Sequence, residues 1–470
     1  MRLLLLPHPL LLLLSCTGTT ALTSLAGHQL LRTFPTTGEQ VEALTRLGER
    51  LRLDFWSWPA PGRAVDLHLA PGQRAPVMHL LGEQGVPSEV LQDDLQQLLA
   101  EEPQKVAARG GGGMDWTSYH DQADMEALAE ELAASRDWVA LESIGESFEG
   151  RAMRVVTVCR GGCGRRPAVW VDGGMHAREW ITPAVVTFLM QELVEGDARH
   201  PALTRELDWF FLPVANPDGY AYSRSTDRLW RKTRSNNSCG AGEGADPNRN
   251  WDFHWGEVGA SSDPCSEQYR GAEAFSEVET RNIRDFILAH KDTIKVFNSI
   301  HAYGQQILLP FANAKQLPSN YETMKEVADL GAAALRAVHG REYEVGGIAC
   351  ILYPISGDSG DWALARAGLP LALGMELRGG AHGFLLPAAQ ILPTAQEVWA
   401  FHRAVAEYVI EHPEVAAHNP TADTLVSCDA NTTPSSTLLP TVTTTVFTAR
   451  SRSTSVSALA LLVVAVIGVM

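Results

Sequence analysis

His176 and Glu179 stand three residues apart in Gly173-Gly174-Met175-His176-Ala177-Arg178-Glu179-Trp180, directly after the strand-like apolar run 168–172. At a strand-to-helix junction, one turn aims both side chains at a single point. An imidazole nitrogen and a carboxylate oxygen suit zinc, and a catalytic zinc site holds three protein ligands while keeping one position open. A bare His-x-x-Glu occurs by chance in many chains, so its company decides its meaning. His301 follows the largely apolar run 294–300, and Glu376 follows the run 370–375. Each ends a predicted strand, at the edge where open α/β sheets collect ligands. Alone, His301 suits a hydrogen-bonded core histidine and Glu376 the end of a surface strand; together with His176 and Glu179 they favour a metal site.

The elements that must position these residues occupy about 115–416. Runs 168–172 and 209–214 read as buried strands, and 183–193, 277–290 and 321–339 as helices. The alternation predicts an α/β fold with a mixed, mostly parallel central sheet flanked by helices. Residues 27–109 are different in kind. A strand at 29–34, a helix at 39–52 with Val41, Leu44, Leu47 and Leu51 at helical spacing, and a strand at 64–69 predict a small α/β open sandwich with no catalytic pattern. Between the two lies Lys105-Val106-Ala107-Ala108-Arg109 followed by four glycines. Such a flexible, basic-tipped linker invites proteolytic nicking, and equally serves as an inert connection.

The formal net charge of −17 excludes nucleic acid as a partner, since phosphate binding needs a basic face. Residues 1–26 read as a secretory leader, with small residues for a cut after Ala26 and an alternative at Ala21. Removing it discards Cys16 and leaves six cysteines, an even number that in an exported chain suggests disulfides. Cys159 and Cys163 flank a glycine-containing turn and suit a hairpin clip; Cys239 and Cys265 suit closure of a medium loop. Cys350 and Cys428 remain, with no pairing readable. Sequons at Asn236 and Asn431 fit export. Residues 417–455 are rich in Ser, Thr and Pro and read as a stalk. Residues 456–470 are apolar but short for a span; a cleaved signal for a glycolipid anchor, a short tail anchor and a free hydrophobic tail all stay open.

Several ordered motifs place the chain beside a known family. His176-Ala177-Arg178-Glu179-Trp180, Asn216-Pro217-Asp218-Gly219-Tyr220, the run 229–234, Asp246-Pro247-Asn248-Arg249-Asn250-Trp251, Ser299-Ile300-His301, the run 357–362 and Glu376-Leu377-Arg378 resemble the digestive zinc metallocarboxypeptidases of the A/B type over about residues 28–416. The resemblance implies that His176, Glu179 and His301 bind one Zn2+ and that Asp246 orients a ligand histidine. It implies Glu376 as general base, Arg231 as stabiliser of the developing oxyanion, Asn248 and Arg249 as the clamp on a substrate's free carboxylate, Tyr353 as the phenol closing over substrate, and Arg178 as an auxiliary substrate arginine. It also makes 27–109 an inhibitory pro-domain, freed from catalytic domain 110–416 by a trypsin-like protease cutting at Arg109, with Lys105 second. Peptide and protein C-termini become the substrates, and a secreted monomer, with a membrane tether through its tail left open, is expected.

Specificity is where the chain departs from the pattern. Matching residues 353–362 puts the pocket floor near Ile355, Asp358 and Gly360. Basic-specific members carry an acid, and apolar-specific members a large aliphatic, where this chain has Gly360. Asp358, two residues earlier, suits the same space, and a buried unpaired carboxylate calls for a cation; C-terminal Lys or Arg is therefore expected. With Asp358 turned outward, an enlarged pocket would take aliphatic or aromatic residues instead. A catalytically dead peptide-binding relative is the rival of another class, and it would lack Glu376, Arg231 or a zinc ligand, all present here.

Overall fold

The computed structural model describes residues 22–102, 113–415 and 426–428. Arg109 and Lys105, the Ser/Thr-rich stalk, the hydrophobic tail and most of the expected leader lie outside those residues.

The N-terminal unit runs β1 (Gln29–Thr33), α1 (Gly38–Leu51), β2 (Asp54–Phe55), β3 (Val65–Leu69), α2 (Arg74–Glu83), β4 (Ser88–Gln92), α3 (Leu95–Glu101). Its antiparallel sheet has the order β2-β3-β1-β4. Thr37 and Gln40 form a capping box that starts α1, satisfying backbone donors that would otherwise be left open, and the helix lays Leu44 and Leu47 on the sheet. This is the expected open sandwich. Residues 22–26, read above as the end of the leader, are folded with it: Leu25 is 3% exposed among Leu30, Leu95 and Leu99.

The larger unit begins with α4 (Gln122–Ser135), β5 (Val139–Glu146), β6 (Ala152–Val158), β7 (Ala168–Asp172), α5 (Ile181–Glu195), α6 (Pro201–Arg205), β8 (Asp208–Leu212) and α7 (Pro217–Ser225). It continues with α8 (Val278–His290), β9 (Ile294–Ala302), β10 (Gln306–Leu309), β11 (Gln316–Leu317), α9 (Tyr321–His339), β12 (Glu344–Gly347), α10 (Ile348–Ile351), α11 (Ser359–Ala365), β13 (Leu371–Leu377) and α12 (Ile391–Glu411), and β14 (Val426–Ser427) follows. Eight strands form one mixed sheet, β12-β10-β13-β9-β7-β8-β6-β5, in which the central β13-β9-β7-β8 are parallel. Every residue of β7 and β8 is buried, as strands covered on both faces must be. Trp170, Phe210, Phe297 and Phe401 sit in one continuous core. Cys159–Cys163 and Cys239–Cys265 are bridged as expected, and the remaining pair is bridged too, Cys350 to Cys428. Among the described residues, no helix is long and apolar enough to cross a membrane.

Candidate zinc site and substrate cleft

The carboxyl ends of β7, β9 and β13 converge. Gly174, at φ +64°, turns the chain out of β7 and delivers His176; a Cβ there would meet Pro183 Cγ and the Pro213 carbonyl, so glycine fits the turn. Glu179 lies just ahead of α5. His301 and Glu376 are register partners on the parallel strands β9 and β13, so both strands run through these residues rather than stopping short of them.

His176, Glu179 and His301 bring their ligand atoms within 4.8 Å of one another, and all three are buried. His176 Nδ1 lies 2.7 Å from Glu179 Oε1, His301 Nδ1 3.3 Å from Glu179 Oε2, and the two Nδ1 atoms face each other at 3.2 Å. Two imidazole nitrogens and a carboxylate turned to one point are a donor set for Zn2+. The outward ring nitrogens support that orientation. His176 Nε2 donates to Asp246 Oδ1 at 3.1 Å, while His301 Nε2 lies 3.2 Å from Ser299 Oγ, which donates to Asp172 Oδ1 at 2.7 Å. Acceptors behind each ring fix the tautomer that leaves Nδ1 open to a metal. The residues fit the ion.

Burial and Arg231 lower His176, favouring the neutral ring a metal requires. Burial alone would raise Asp246, but Arg231 and Arg249 hold it well below the usual carboxylate range. Arg231 grips Asp246 Oδ2 through Nη2 at 2.8 Å and Nε at 3.1 Å, and lines the cleft beside the ligands. Glu376 is the odd carboxylate. Its Oε2 is buried without a hydrogen-bond partner, and burial, then Glu179, push it up to about 8. A divalent cation held by His176, Glu179 and His301 would act in the opposite sense.

Asn248 and Arg249 ride on a 3-10 turn (Pro247–Arg249) that Asp246 itself caps. Arg249 Nε donates to the Gly259 carbonyl at 2.8 Å, and Gly357 (φ +73°) packs its backbone directly on the Arg249 carbonyl, where a Cβ would come within 2.4 Å. Arg249, Asn248, Tyr353, Ile355, Asp358 and Gly360 all line one cavity of about 450 Å³ with the zinc ligands and Glu376. Asp358 is not the unpaired acid expected from sequence. Oδ1 caps α11 by accepting from Gly360 N and Asp361 N, and Oδ2 accepts from Asn248 Nδ2 at 3.0 Å. Asp361, fully buried behind it, is pushed well above its usual range by burial and then by Asp358.

The N-terminal unit roofs this cavity with Arg32, Trp56, Trp58 and Asp66. Asp54 accepts from Arg178 Nη1 at 3.0 and 2.9 Å, Tyr303 donates to Asp66 at 2.7 Å, and Trp58 faces Tyr353 with ring centroids 6.2 Å apart. Glu102 takes Arg228 in a fully buried pair. Asp54, Asp66, Glu102, Asp172, Arg228 and Asp361 join the site with no signature in the sequence, and Ser299 stands there only within a motif, with no role. Ser299 carried a usable signal, since residues two apart on a strand share a face and it precedes His301 by two.

A parallel-centred sheet carrying a two-histidine, one-carboxylate centre under an N-terminal cap defines a metallohydrolase held closed. Residues 125–401 match the zinc carboxypeptidase family, and residues 31–102 match the carboxypeptidase activation peptide. Carboxypeptidase A2 of Rattus norvegicus is 39% identical over 82% of this chain and 95% of its own length. Carboxypeptidase B of Astacus astacus is 44% identical over 63% of this chain and 98% of its own. The crystal structure of carboxypeptidase A from Helicoverpa armigera superposes with TM-score 0.77 at 29% identity, covering 83% of this chain and 99% of that one. The chain belongs to the zinc carboxypeptidase family and carries that family's activation peptide; it is a metallocarboxypeptidase.

Proposed function

We propose that the chain is exported as a zymogen and, once cut, removes C-terminal Lys or Arg from peptides and proteins. The observation that carries the preference is Asp358, buried in the wall of the cleft near Ile355 and Gly360. A carboxylate in a pocket's wall makes a cation the favourable occupant.

On this reading Arg249 receives the substrate's free carboxylate through its planar fork, with Asn248 beside it. Zinc supplies Lewis acidity and eases deprotonation of water. Glu376 takes the proton from the attacking water and returns it to the departing amine. Arg231, preorganised by Asp246, faces the charge that grows on the scissile carbonyl oxygen. Tyr353 closes over the substrate after Trp58 leaves.

One observation favours a second reading. Because Asp358 already accepts three hydrogen bonds, it serves equally as a support for Asn248, leaving Leu308, Ile348 and Ile355 to bind an apolar side chain. Hydrolysis of matched peptides ending in Arg, Phe and Glu decides between them: the Arg peptide should be cut fastest, and Asp358→Ala should abolish that advantage. A Phe preference that survives Asp358→Ala would establish the apolar pocket. Trypsin should release an active fragment beginning near Gly110; full activity before any cut would contradict the zymogen.

A further inference from the structure

Helix α10 and the loop behind it form one wall of the substrate cleft, through Ile348, Leu352, Tyr353 and Ile355. A single helical turn does not hold itself together in water, so this wall needs outside support. The support comes from far along the chain. Cys350, in α10, is bridged to Cys428, 78 residues later. The residues before Cys428 form β14, antiparallel to β11 with Gln316 opposite Ser427 and Leu317 opposite Val426, and Cys428 N donates to the Lys315 carbonyl at 3.3 Å. Leu317 in turn lies against Gly347, the residue that opens α10, so closely that a Cβ there would come within 2.9 Å of it. The tail thus returns after α12 and is fastened, by a covalent bond and a short sheet, three residues from Tyr353.

We propose that residues 426–428 are a positioning strap for the substrate wall, holding α10 so that Tyr353 and Ile355 meet the bound C-terminal residue. The strap touches no substrate and acts through α10; the assignment rests on the reading of that wall as the substrate cleft. A Cys350→Ser/Cys428→Ser variant and a chain ending at residue 415, each activated, should show KM raised three- to tenfold with kcat within twofold and zinc content unchanged. Unchanged KM with only a lower Tm would make the bridge merely structural and overturn the proposal. Tyr353→Phe in the unaltered chain separates the two ideas: if it leaves KM alone, the role given to Tyr353 fails, while a rise in KM on losing the strap still supports the strap through Ile355. Should the variants not fold, the intact protein can be cut at an engineered site within 416–425. The tail should then separate only after reduction, and amide exchange over 348–355 should quicken when it does. Separation without reduction, or unchanged exchange, overturns the strap.

A different observation carries a second assignment. Leu25 is packed with Trp56 and Leu99 on one side and with Leu229 and Phe384 of the catalytic unit on the other. Thr23 N donates to the Thr226 carbonyl at 2.6 Å, and Leu25 N to Gln96 Oε1 at 2.8 Å. We infer that residues 22–26 stay with the exported chain as a clasp across both units, so that the leader is cut ahead of Leu22, where Thr19 and Ala21 offer small residues, rather than after Ala26. This assumes the leader itself. N-terminal sequencing of the secreted, uncut protein should find Leu22 or an earlier leader residue; a start at Gly27 overturns the clasp, and a start at Met1 overturns the cut. Leu25→Asp should raise the activity of the uncut chain several-fold, and unchanged latency would remove the clasp's role.

Discussion

Among single residues, Glu376 carries the sharpest expectation. It is half-buried, its Oε2 is buried without a hydrogen-bond partner, and it sits beside the ligand cluster, so Glu376→Gln keeps the shape while removing the proton acceptor. On the proposed chemistry, kcat should fall about 10²- to 10⁴-fold with zinc content unchanged, read by steady-state kinetics alongside metal analysis. The orienting pair behind His301 gives a second test. Ser299→Ala removes the link between His301 Nε2 and Asp172, a carboxyl that burial pushes up to about 6, and should weaken zinc binding about 10- to 100-fold in chelator competition. The ligands themselves are legible in sequence because His176 and Glu179 stand three apart just after an apolar run and His301 ends another. Asp172 and Ser299 are less so, since a serine within a strand has many uses and its partner is 127 positions away. Asp358 lines the cleft, but its capping of α11 depends on a local turn that side-chain type alone does not reveal.

Between elements, burial decides which cap contacts matter. Glu102 at the end of α3 and Arg228 after α7 have side chains 3% and 0% exposed, whereas Arg63 and Glu344 are 40% and 44% exposed. Breaking a buried pair strands a charge and costs about 3–5 kcal/mol, while an exposed pair is worth about 0–1 kcal/mol. An isolated pro-segment should therefore inhibit the activated enzyme about two to four orders of magnitude more weakly when it carries Glu102→Gln. Arg63→Gln should change the inhibition constant no more than about fivefold, and equal losses for both would contradict the ranking. Helix α1 can be read from the helical spacing of its apolar face and β7 and β8 from their continuous apolar runs, because each signal is local to its own element. The contacts between the units cannot, since Glu102 and Arg228 are ordinary charged residues until folding brings them together across 126 positions.

For the whole molecule, latency depends on how the docked cap responds to pH, and Asp54 sets the sign. Burial disfavours its charged form, but Arg178, then the hydrogen bond from His68, outweigh burial and hold the carboxyl far below its ordinary value. A carboxyl depressed in the docked state binds protons more readily when undocked. Its contribution is therefore complete above the undocked value of about 3.9 and drains away only as pH falls through the docked one. Mild acid should not open the zymogen: uncut protein held at pH 5 and assayed at pH 7.5 should remain as silent as protein kept at pH 7.5. Asp54→Asn removes the charge at every pH, so basal activity should rise and lose its dependence on acid exposure between pH 5 and 3. If the unaltered chain instead gains activity at pH 5, where Asp54 is still ionised, another titrating group governs the cap and the Asp54–Arg178 contact is not the latch.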